Sequence, residues 1–168
     1  MRVGVAAALT LLLTSPPVFA DDNLLSSARG ARMIKRTSED PQAPAANLIE
    51  PDAAHGWRSG DGTLPQEIVF QLPAATQFNT LVFTAATDAP VDDWPRDVEV
   101  YTADPFPTMG GWRLVARAAL ATAPGDQTVT TPAAEGRFVR LLILSTQRGG
   151  PRTALGRFKI FLRQPPVR

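Results

Sequence analysis

The sequence predicts an all-β domain folded as a sandwich, and two observations carry that expectation. Sixteen prolines and twelve glycines punctuate the 168 residues, and the apolar stretches between them are strand length. After Ala20, no stretch shows the recurrence at three and four residues that marks a long amphipathic helix. Many short strands without intervening helices make a sandwich or a barrel.

Each element follows from its pattern. Residues 67–72 place Ile68, Phe70 and Leu72 on one face, and period two marks a half-buried strand. Pro73 is expected to stop it, because proline offers no amide to a ladder. Leu81 and Phe83 define a second strand over 81–85, and a loop rich in Asp and Pro follows over 87–95. Residues 96–101 alternate with Val98 and Val100 inward. Residues 112–115 form a short strand after Gly110-Gly111, and 127–131 a threonine-rich edge strand. The most apolar run, 138–145, reads as a central strand with Val139, Leu141 and Ile143 inward. Phe158, Ile160 and Leu162 close the domain. A turn of helix fits 45–49, an irregular loop fits 37–46, and the tail 164–168 is expected to fray. There is no internal repeat and no sign of a second domain.

The first 20 residues read as a secretory signal peptide. Met1-Arg2 precedes an apolar stretch over 3–13, and Val18-Phe19-Ala20 supplies small residues at the −3 and −1 positions of a cleavage site. The apolar run is too short and interrupted for a stable anchor, and no cysteine is present for a lipoprotein linkage. Cleavage after Ala20 leaves one domain, 21–163, and the tail. Loss of Arg2 brings the formal charge from +1 to zero, so no global nucleic-acid footprint exists. The chain has no cysteine, which removes disulfides, thiol catalysis, iron–sulfur clusters and cysteine-ligated zinc. Abundant Ala and Arg without disulfides suit a bacterial periplasm or secretion from a bacterium.

Several short motifs, taken in order, carry a family likeness. They are Asn23-Leu24-Leu25-Ser26-Ser27-Ala28, then Asn47-Leu48-Ile49-Glu50 with Gly56-Trp57-Arg58-Ser59. The strand over 65–72 follows, then Gly136-Arg137-Phe138-Val139-Arg140-Leu141, and last Leu155-Gly156-Arg157-Phe158-Lys159-Ile160. This series resembles the coagulation factor 5/8 type C, or discoidin, domains of the galactose-binding-like superfamily. The resemblance implies a jelly-roll sandwich and a non-catalytic module binding sugars, anionic lipid surfaces or proteins through loops at one end. Sugar-binding relatives hold a structural calcium with a glutamate on the closing strand, whose equivalent here looks like Arg157. An arginine puts positive charge where an oxygen ligand is needed. No cofactor is therefore expected, with Asp40, Glu50 and Asp52 the remaining oxygen donors for calcium. The disulfide common in eukaryotic members is also absent.

Candidate ligand-binding residues fall in three loops. Trp57 either stacks on a sugar ring or plugs the core, with Arg58 and Asp61 beside it as polar candidates. Residues 88–96 join Asp92, Asp93, Trp94 and Arg96 in a loop stiffened by two prolines. Trp94 is either an exposed platform or the cover of a sheet edge. Arg148 and Arg152 flank a glycine turn and suit a bidentate grip on a carboxylate or phosphate. Trp112 reads as core, Arg140 as a structural arginine paired with an acid, and His55 as loop structure. No paired histidines, Gly-x-Ser-x-Gly elbow or phosphate loop appears, so neither catalysis nor a metal site is expected. The leading functional expectation is an exported carbohydrate-binding module. The alternative is a protein–protein interaction or assembly module of the envelope.

Overall fold

The computed structural model describes residues 22–163. The expected signal peptide and the tail 164–168 lie outside the described residues. Seven strands are present: β1 (Arg32–Arg36), β2 (Trp57–Arg58), β3 (Gln66–Ala85), β4 (Asp97–Ala103), β5 (Arg113–Ala119), β6 (Asp126–Ile143) and β7 (Ala154–Phe161). Short 3-10 turns occupy Ser27–Arg29, Ala45–Leu48 and Val91–Asp93. No helix among the described residues is long and apolar enough to cross a membrane.

All pairing is antiparallel, and β3 and β6 each serve both layers of a sandwich. Residues 66–71 of β3 pair with 138–143 of β6, and residues 76–84 pair with 126–136. The first of these paired segments anchors one layer, ordered β1-β3-β6-β4-β5. The second paired segment anchors the other, ordered β6-β3-β7-β2. This is the jelly-roll arrangement that the sequence predicts. The edge position expected of 127–131 and the central position expected of 138–145 both follow from it, the strand ending at Ile143.

Pro73 does not end its strand. The register slips between Gln71 and Thr76, and the chain turns the corner from one layer to the other there. Proline costs no ladder bond at such a slip, because the residues around it are unpaired. A second slip between Phe78 and Thr80 lies opposite Pro132 in β6. Four expected strands are therefore two long bent ones. β1 and β2, too short or too weakly patterned to stand out, complete the edges.

The inward residues are those that alternation predicts. Ile68, Phe70, Leu72, Leu81, Phe83, Val98, Val100, Val139, Leu141, Ile143, Phe158 and Ile160 are buried in one core. Phe158 stacks on Phe83 of its own layer at 5.1 Å between ring centroids and meets Phe70 across the core at 5.8 Å. Two expectations fail. Leu162 lies past the end of β7 and is exposed. Trp112 is half-buried and stands outside the core, because β5 begins after it, at the layer's edge.

The chain passes from β1 through β2 to β3, from β3 to β4, from β5 to β6 and from β6 to β7 at one end of the sandwich. Only the link from β4 to β5 lies at the other end among these. Phe158→Ala removes the ring that joins the layers and is expected to cost about 3–5 kcal/mol, read as a lowered midpoint in chemical denaturation with an unchanged slope.

Candidate functional site

The connections crowded at one end carry all the candidate loops, and tight local contacts bring them together. Arg152 donates from Nη1 to Asp40 Oδ2 at 2.8 Å, and its backbone N–H donates to Asp93 Oδ1 at 3.3 Å. The Gly150 N–H reaches Asp92 O at 3.1 Å. A Cβ on Gly150 would sit 2.1 Å from Asp93 Oδ1, so only glycine permits this approach. Thr153 N–H donates to Ser59 Oγ at 2.8 Å, which joins the third loop to the residue just past β2. On the outer side, His55 Nδ1 lies 3.0 Å from Asp88 Oδ2, and Arg58 Nη2 contacts Asp88 O at 3.5 Å.

Both tryptophans for which the sequence left open a stacking platform or a buried role are buried. Trp57 is 1% exposed and donates from Nε1 to Ser38 O at 3.2 Å. Trp94 is 7% exposed and donates to Ala86 O at 2.8 Å. The Trp57 ring lies in the core, the Trp94 ring is held by the carbonyls of Ala86 and Ala89 in its own connection, and neither presents a face to a sugar. Asp93, 5% exposed, is also structural, holding the backbone of Arg152. The surface residues are Asp61, Asp92, Arg96 and Arg148, all exposed, with Arg58 and Arg152 half-buried. Arg148 Nη1 is 3.7 Å from Asp92 Oδ1, a solvated pair of little energetic weight. The Thr63 backbone N–H and hydroxyl lower the pKa of Asp61. The Gln42 N–H and then Arg152 do the same for Asp40. Both are charged acceptors at neutral pH. The pairings of His55 with Asp88 and of Asp40 with Arg152 were not legible in the sequence, since the partners lie far apart along the chain.

Residues 33–156 match the F5/8 type C domain. The chain belongs to the F5/8 type C family. Solved structures agree on the fold. The family 32 module of Clostridium perfringens NanJ, in complex with galactose, is 17% identical, with 82% of this chain and 97% of that chain covered and a TM-score of 0.68. CBM32-3 from a family 31 glycoside hydrolase of the same organism is 13% identical, covering 89% of this chain and 100% of that one at 0.70. Chitosan-binding module 1 of a chitosanase/glucanase from Paenibacillus sp. IK-5 is 17% identical, covering 83% and 98% at 0.65. No curated protein matches the chain. As an F5/8 type C domain, the protein is a non-catalytic binding module.

Calcium, which the family implies, does not fit this member. Arg157 on β7 donates from Nη1 to His55 O at 3.2 Å and to Gly156 O at 2.7 Å, and from Nη2 to Ala53 O. Carbonyl oxygens of this kind ligate hard cations; here a guanidinium takes them. Its fixed charge stands where a metal ligand would be. Among the described residues no three Asp, Glu or His side chains gather to hold a metal. Thermal midpoints in chelator and in calcium are expected to coincide. Arg157→Ala is expected to lower stability by about 1–3 kcal/mol, because it strips three carbonyls of their donor. Calcium-dependent melting of the unaltered chain overturns this reading.

Proposed function

We propose that this F5/8 type C domain is an exported carbohydrate-binding module that grips its glycan through the polar loop end of the sandwich. One observation carries the reading: loops from three separate connections converge at this end, where Arg58 meets Asp88, Arg148 meets Asp92, and Asp61 stands exposed three residues past Arg58. With both rings buried, recognition rests on hydrogen bonds to sugar hydroxyls rather than on stacking. Charged donors and fixed carboxylates suit that task. Support comes also from the matched structures, of which one holds galactose, another GalNAc-β-1,3-galactose, and a third is a chitosan-binding module. The N-terminal signal pattern supports placement in the periplasm or secretion.

An open polar surface of this kind binds a single site weakly, with Kd of order micromolar to millimolar. A glycan array with a peptidoglycan pull-down is expected to give signal, and Arg58→Ala with Asp61→Ala to weaken it by about tenfold. Silence across both assays overturns the carbohydrate reading. N-terminal sequencing of the protein recovered from its native cells is expected to begin at Asp21; a chain that retains Met1 overturns export. A second reading, docking to an envelope protein, is favoured by Met109, 94% exposed, with Leu114 nearby in sequence on β5. It predicts that affinity capture from envelope extract retains a protein, and that Met109→Ser abolishes the retention.

A further inference from the structure

Away from the loop end, the outer face of the five-stranded layer carries a groove that the sequence did not reveal. Register places Lys35, Val69, Arg140, Tyr101 and Leu114 in one row across β1, β3, β6, β4 and β5. The connection from β4 to β5 folds beside this row and brings Phe106 and Trp112 to it. The resulting cavity, about 570 Å³, is lined by Lys35, Glu67, Val69, Phe106, Trp112 and Arg140 among others. That volume falls in the roughly 300–1,000 Å³ range of small-ligand sites.

Arg140 is the unusual member. Its guanidinium lies 4.3 Å from the Tyr101 ring centroid and 4.8 Å from that of Trp112. Cation–π contact of this sort occupies the faces of a guanidinium and leaves its N–H edge for partners in the plane. The edge is poorly used. Nη1 stands 3.6 Å from Glu67 Oε2, beyond hydrogen-bonding distance. Nε is shut off from solvent and has no hydrogen-bond partner. Glu67 is meanwhile engaged by Lys35 Nζ at 2.5 Å. Two cations and one carboxylate leave the groove with one excess positive charge. Phe106 and Trp112, whose planes meet at 84°, form an apolar corner beside that charge.

We propose that this groove is a subsite for an acidic saccharide, with a uronic-acid carboxylate docked on Arg140 and Lys35 and its pyranose ring against the aromatic corner. A planar monoanion matches both the guanidinium edge and the single excess charge. The saccharide part rests on the carbohydrate reading above; the site itself is independent of the loop end.

The test is NMR titration of the full domain with trigalacturonate and with galactotriose, its neutral counterpart. The Trp112 indole N–H signal, assigned through Trp112→Phe, is the readout. Trigalacturonate is expected to move that signal, and galactotriose to leave it in place. Lys35→Gln, at an exposed position, is expected to weaken the response several-fold, and Arg140→Gln by about tenfold or more. Where Arg140→Gln fails to fold, Lys35→Gln and suppression of the response by added salt carry the test. Arg58→Ala with Asp61→Ala is expected to leave the Trp112 response intact. A still signal at about 10 mM trigalacturonate, equal movement with galactotriose, or indifference to Lys35→Gln overturns the groove proposal. Glycan binding at the loop end with a silent Trp112 overturns the groove alone. A Trp112 response without any glycan at the loop end overturns the loop-end reading alone.

Discussion

The antiparallel pair formed by β3 and β6 is the constraint on which the rest of the structure depends. The two strands stay paired through both layers, slipping register where prolines sit, and every other strand joins one of their halves directly or through one neighbour. Each half lends its inward residues to the same core, so the two layers are joined by the continuous strands at the corner and by packing between them. Phe70, Phe83 and Phe158 tie its halves together in the middle. The same topology sends four connections to one end, which is why polar chemistry accumulates there.

At that end, much of the charge holds loops to one another. Asp93, Asp40 and Arg152 fasten one connection to the next, Trp94 is bonded into its own connection, and Trp57 fills the end of the core. Fastening loops in this way lowers the entropy lost when they bind. It also removes the aromatic faces from the surface. Arg157 does a similar service from β7, tying the loop before β2 through the carbonyls of Ala53 and His55. A side chain thus provides permanently what a bound ion would provide only at sufficient concentration.

The outer sheet face follows a different logic. Val69 is buried although it belongs to no part of the central core, so the connection over 104–112 and the stem of Arg140 must shield it. That shielding places an arginine in aromatic surroundings, where a charged edge is costly to leave unpaired and favourable to complete. Loop end and groove are therefore two chemically distinct surfaces of one domain, one hydrated and mixed in charge, the other partly apolar and net positive.

The amino-acid sequence by itself determined the sandwich class, the inward residues of the long strands and the family likeness. Period-two alternation is a local property, and Ile68, Phe70, Val139 and Leu141 carry it within a few residues. Arg157 was legible for the same reason, since it sits at a fixed place in the closing motif. The sequence did not determine that β3 runs through Pro73, since a register slip depends on the partner strand rather than on proline alone. Nor did it determine the fates of the tryptophans. Trp57 and Trp94 each fit a platform or a buried role and Trp112 fits the core, yet the first two are buried and the third stands at a groove. Only tertiary structure decides which loop tops the core, and only register sets Arg140 beside Val69 and Tyr101. Those neighbours are tens of residues apart, and no local pattern encodes pairing over such a distance.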